Sequence, residues 1–219
     1  MTEKSLKYLI DVLKGETPGE HAEWYETLGF LECHRTAGLF YCRAKELGLK
    51  LPSKIEKLLS ERYEAQVRRN RFMRKWIEDI SEELQGEDVE HIFLKGSVLS
   101  NAMGGAKKSF YREGERVSND IDVLVRTEDV GKVGKVLKEM GFVQGEYDRE
   151  KRKILPFSRL EIVNRRLNRG ETAPFLRATE NAEIPCIEVD VNFSLGYAPG
   201  EGQALQEEML ESRKKYKGY

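Results

Sequence analysis

Val89-Glu-His-Ile-Phe-Leu-Lys-Gly-Ser-Val-Leu-Ser-Asn-Ala-Met103, a polar and basic insert, and then Arg116-Val-Ser-Asn-Asp-Ile-Asp-Val-Leu-Val125 together decide the fold. Residues 89–94 are apolar and bounded by Gly86-Glu87-Asp88 and by Lys95-Gly96-Ser97, which predicts a short strand. Gly96 permits a sharp turn, and Ser97 suits the cap of a short helix over 98–103. A strand running into Gly-Ser and a helix aims free backbone N–H groups at one point, which suits a phosphate. Residues 119–126 read as a second strand carrying Asp120 and Asp122.

Side chains alternate along a strand, so Asp120 and Asp122 share a face, with Cα atoms roughly 6.6 Å apart at about 3.3 Å per residue. Carboxylates crowded on one face repel each other. A hard divalent cation, Mg2+ or Mn2+, offsets that repulsion and bridges to phosphate oxygens. A phosphate turn beside a paired-Asp strand is the equipment of two-metal nucleotidyl transfer.

Gly-Ser, a helix and Asp-x-Asp on a following strand resemble the signature of the polymerase-beta-type nucleotidyltransferase superfamily. The wider pattern is similar to an uncharacterised bacterial nucleotidyltransferase-like family with an L-K-G turn and an R-x-x-x-D-I-D-x-L-V strand. Here these are Leu94-Lys95-Gly96 and Arg116 through Asp120-Ile-Asp122 to Val125, and Tyr111 to Arg116 fits the family's longer form. The resemblance implies an α+β fold with a mixed β-sheet nucleotidyltransferase core (87–219) and an N-terminal helical region (1–86). It implies an NTP such as ATP as substrate, Mg2+ or Mn2+ as cofactor, and transfer of an NMP to an acceptor hydroxyl.

It also implies a third carboxylate from a neighbouring strand. In Ile187-Glu-Val-Asp-Val-Asn-Phe193 the apolar residues face the core, so Glu188, Asp190 and Asn192 share the opposite face. Such a face can equally be a solvated sheet surface. With the Asp pair upstream, Asp190 is expected as third metal ligand and general base. Glu188 is its rival, because relatives often place an acid there and a histidine at the position of Asp190. The expected metal and catalytic set is therefore Asp120, Asp122 and Asp190. Lys95, Gly96, Ser97 and Arg116 are expected to bind the nucleotide, Arg116 as a bidentate fork. Lys95 could instead be a solvated strand-end lysine, and Arg116 could instead pair with Asp120 or Asp122.

The rest of the chain bounds these readings. Lys and Arg total 37 against 38 Asp and Glu, a balance that argues against a dedicated duplex-binding protein. Cys33, Cys42 and Cys186 lack metal-ligand spacing and read as reduced thiols of a cytoplasmic protein. The N-terminus lacks an apolar leader, and no run reaches transmembrane length. His21, His34 and His91 are too scattered to share a metal, and His91 reads as structural. Neither a Walker-type phosphate loop nor a dinucleotide fingerprint is present.

Helices are predicted over 5–14, 24–44, 53–84, 128–140 (stopped by Gly141), 159–168 and 203–217. A strand is predicted at 142–147, a charged loop at 148–153, and a hairpin pairing 173–178 with 186–195. The acceptor has no motif. The chain stops soon after the last strand, so a second subunit in a homo-oligomer is one expected source of a complete acceptor pocket. The alternative function is an antitoxin of this fold, or a non-catalytic binding module, acting on a protein, peptide or RNA partner.

Overall fold

The computed structural model describes residues 1–20, 23–99 and 111–213. These fall into two compact units: residues 1–71 with 99 and 111–117, and residues 72–98 with 118–213.

The first unit is helical. Helix α1 (Glu3–Lys14) starts where the Thr2 side chain accepts from the Ser5 N–H. Its buried stripe is Ser5, Tyr8, Leu9 and Val12, while Leu6 and Ile10 stay exposed. The expected single helix over 24–44 is two helices, α2 (Trp24–Cys33) and α3 (Ala37–Glu46). The break falls at Arg35, whose φ of 54° no helix can continue through. Helix α4 (Ser53–Gly86) runs from this unit into the second, and its first half adds Leu59 to a core of Leu9, Val12, Leu31, Phe40 and Ala44.

The second unit is built on a six-stranded mixed sheet in the order β1-β2-β6-β5-β3-β4. The strands are β1 (His91–Leu94), β2 (Ile121–Val125), β3 (Val143–Asp148), β4 (Lys153–Pro156), β5 (Phe175–Ala178) and β6 (Cys186–Asn192). β2 and β6 are parallel, and the other neighbours are antiparallel. The α+β class and mixed sheet are as predicted. β4 replaces the tail of the expected charged loop; its Lys-Ile-Leu-Pro run is short, and Pro156 is tolerated because β4 is an edge strand.

One row of partners crosses the sheet: Ile121 pairs with Val189, Val189 with Phe175, and Phe175 with Gln144. Residues in register share a face, so this row and the carboxylates Asp122 and Asp190 lie on opposite faces. Helix α6 (Val130–Glu139), entered through a 3-10 turn at Thr127–Asp129, contributes Val130, Val133, Val136 and Leu137 to the core. It stops before Gly141, which has φ 84° as its predicted role requires. Helix α5 is Lys95–Leu99, α7 is Arg159–Asn168 as predicted, and α8 is Gln203–Glu211. Of the expected tail helix, 214–217 lie outside the described residues. Among the described residues no helix is long and apolar enough to cross a membrane.

Candidate active site

The centre of the sheet is where charge is least expected. All five residues of β2 are buried, and Asp122, its second residue, is 2 % exposed. β6 alternates, with Ile187, Val189 and Val191 inside and Glu188, Asp190 and Asn192 half-buried on the other face. The parallel register sets Asp122 directly beside Asp190. Asp120 stands just before β2 and is half-buried. The carboxylates feel one another. Burial first, then Glu188, Glu171, Asp122 and Asp120, push the Asp190 carboxyl up to about 7. Burial, then Asp120 and Asp122, raise Glu188 as well.

Lys95 is the counter-charge. Its Nζ donates to Asp122 Oδ1 at 2.6 Å, and this hydrogen bond, with further attraction from Asp120 and Asp190, raises its pKa against the cost of burial. Lys95 is thus paired, although its side chain, 64 % exposed, also stands in solvent as a strand-end lysine would. It also takes the unusual backbone geometry assigned in advance to Gly96: Lys95 has φ 48°, and α5 begins there rather than after Ser97. Gly96 is needed for a different reason. A Cβ on it would lie 2.3 Å from Ser118 Oγ and 2.9 Å from Ser118 Cβ.

Ser97 is not the helix cap that was expected. It lies inside α5, is 1 % exposed, and its hydroxyl accepts from the Asp122 N–H at 2.8 Å. Gly96 and Ser97 therefore seat α5 against the chain entering β2 and fix the backbone of Asp122. Ser97→Ala is expected to leave that buried N–H without its acceptor, costing about 1–3 kcal/mol. A urea melt checks this, and an unchanged midpoint would show that the contact contributes nothing.

Arg116 belongs to the helical unit. Its guanidinium lies over the Tyr111 ring at 5.5 Å, its backbone carbonyl accepts from Gln66 and Asn70, and its buried Nε has no hydrogen-bond partner among the described residues. Lys107, Lys108 and most of the helix expected over 98–103 lie outside the described residues. The structure therefore brings together Asp120, Asp122, Asp190, Lys95 and the rival Glu188. Glu171 is an acid the sequence reading missed. It bridges Asn192 beside β6 and is held by Arg169 at 3.3 Å, in a segment without periodicity to read.

Among the described residues no group of three His, Cys, Asp or Glu side chains already stands in ion-holding geometry. The donor set nevertheless fits a hard divalent cation: the carboxylates are crowded and partly buried, burial and then neighbouring charge raise Glu188 and Asp190, and Asp122 has only the Lys95 ammonium against it as a salt bridge among the described residues. His91 is structural, as expected, with one ring nitrogen on Ser81 Oγ and the other on the Val89 carbonyl. His34 stacks on Phe30, His21 lies outside the described residues, and the three cysteines are free.

No curated protein and no solved structure matches the chain significantly. A family described as uncharacterised nucleotidyltransferase matches residues 20–213, which includes every candidate above. With that span matched, the chain belongs to this nucleotidyltransferase family.

Proposed function

We propose that the chain moves a nucleoside monophosphate from an NTP to an acceptor hydroxyl at the face formed by Asp120, Asp122 and Asp190. The observation that carries this reading is the parallel register that sets Asp122 beside Asp190 in the centre of the sheet. These carboxylates, with Glu188 beside them, would hold Mg2+ or Mn2+, which when bound would neutralise the triphosphate and lower the pKa of the acceptor hydroxyl.

The chain's own residues do the rest. The acceptor oxygen forms a bond to the α-phosphorus, the α–β bridging P–O bond breaks, and pyrophosphate leaves with that electron pair. The hydroxyl proton passes to a carboxylate oxygen of Asp190, the general base of this reading. Lys95 holds Asp122 in place through its ammonium, and α5 holds the Asp122 backbone through Ser97.

The test is pyrophosphate release from each of the four NTPs with Mg2+ or Mn2+, in the presence of fractionated small-molecule, protein and RNA acceptors. Release with one NTP, lost in EDTA, supports transfer. The Lys95–Asp122 ion pair favours a second reading, a binding module for a protein, peptide or RNA partner, because it neutralises Asp122 without a metal. Under that reading no NTP with metal shifts the melting temperature.

Asp190 supplies a prediction that needs no substrate. Its folded pKa lies above its unfolded value, so its ionisation works against the fold: the contribution of this one group to stability is full below about pH 4 and is lost as pH rises through 7. In EDTA at pH 8, Asp190→Asn is expected to raise the melting temperature, by roughly 2–4 °C for each kcal/mol of repulsion relieved. The difference from wild type should shrink toward pH 5. A lower melting temperature at pH 8 would mean that the crowding is not felt.

A further inference from the structure

On the other face of the sheet a cavity of about 520 Å3 opens between α6 and α7. Phe175 and Gln144, members of the row that faces away from Asp122 and Asp190, form part of its floor. One wall is a single face of α6, where Gly131, Gly134, Lys135 and Lys138 follow at helical spacing. The opposite wall is Ile162 and Arg166, one turn apart on α7.

The two glycines are the informative residues. Glycine inside a helix is unfavourable relative to alanine, so it asks for a reason. Neither Gly131 nor Gly134 has a positive φ. A Cβ on Gly131 would meet nothing within 4 Å, and one on Gly134 only Phe175 at an ordinary 3.6 Å. Neither conformation nor packing requires them. What their missing side chains do is keep the α6 wall of the cavity flat and its volume open.

The cations point the same way. Lys135 has Glu139 at 3.8 Å, but among the described residues Lys138 and Arg166 stand in no ion pair. Solvated lysines on a helix face would explain Lys138 alone. They do not explain why an exposed arginine of another helix lines the same glycine-walled cavity. Three cations against one carboxylate leave two positive charges at the rim. The volume lies within the range of roughly 300–1,000 Å3 usual for small-molecule sites.

We propose that this cavity is a second ligand site, which takes a small dianion with a flat apolar body. The body lies between the glycine face of α6 and Ile162 of α7, and the charged end meets Lys138 and Arg166. A phosphate monoester and a dicarboxylate share this chemistry. The site stands on the opposite face from the carboxylate centre, and its failure would leave the transfer reading untouched.

Phenyl phosphate and phthalate are the probes, titrated by calorimetry into the whole chain in EDTA, with inorganic phosphate as the control lacking a body. At least one aromatic dianion is expected to bind at least about tenfold more tightly than inorganic phosphate, and which one does so separates a phosphoester from a dicarboxylate site. Lys138→Ala with Arg166→Ala should weaken binding at least about tenfold. Gly131→Ala with Gly134→Ala should weaken binding while raising the melting temperature by roughly 2–6 °C, a pairing that misfolding cannot mimic. Absence of binding by both probes at millimolar concentration overturns the proposal. So does binding unaffected by either double substitution, which would place the probe elsewhere.

Discussion

Asp122→Asn is expected to lower pyrophosphate release on the order of 10³-fold while leaving the protein folded. The substitution keeps the size of the side chain and an oxygen that can still accept from Lys95, so the packing of a 2 % exposed residue survives. What it removes is the charge beside Asp190, at the position where β2 and β6 run in register. The same variant should lose the stabilisation that metal and NTP confer on the wild type. A ligand at a hundredfold its dissociation constant contributes about 2.7 kcal/mol to a fold that alone binds it. Thermal melts with and without Mg2+ and NTP read this directly. If the variant retains both turnover and the ligand-induced shift, the metal centre is not here.

Gly96→Val is expected to be the most damaging single change to the fold around the site. Its Cβ would sit 2.3 Å from Ser118 Oγ, whose hydroxyl already donates to the Asp120 carbonyl at 3.1 Å. Either Ser118 moves and releases Asp120, or α5 lifts away and Ser97 releases Asp122. Overpacking of this kind costs about 3 kcal/mol. That corresponds to a loss of roughly 6–12 °C in melting temperature. The double variant Gly96→Val with Ser118→Gly should recover much of the loss, which separates a local clash from a general helix effect. The sequence alone suggested another outcome, a folded protein that binds phosphate poorly; a wild-type melting temperature for Gly96→Val would restore that view.

Gly96 also shows where sequence reading succeeded and where it stopped. A glycine at the strand-to-helix junction was visible as necessary. That the necessity came from Ser118, many residues away, could not be seen without the register of β1 on β2. The alternation Ile187, Val189, Val191 against Glu188, Asp190, Asn192 was legible because period two has one structural meaning, and the strand obeys it. Its parallel pairing with β2 was not, since nothing local specifies a partner so distant in the chain.

Helix α7 was legible as an element, and a Ser158–Glu161 capping box fixes its start, but its apolar residues are not covered: Leu160 and Leu167 are 69 % and 68 % exposed. Periodicity reports that a stripe exists, not that anything covers it. The split of 24–44 into α2 and α3 was hidden because Arg35 carries no signature of a left-handed backbone.

The order in which the sheet is assembled differs from the order in which it is synthesised. β2 sits second in the sheet, yet its parallel neighbour β6 is the last strand in the chain. A nascent chain emerging from the ribosome therefore holds β1 and β2 long before β6 can dock, with one rim of β2 open to wrong partners. Asp122, the second residue of β2, puts a charge on that open strand, and charge on an open strand makes intermolecular strand addition costly. Asn at 122 should then refold with more aggregation than wild type, although its native state is sound. The carboxylate proposed for chemistry would also serve as a gatekeeper during biogenesis.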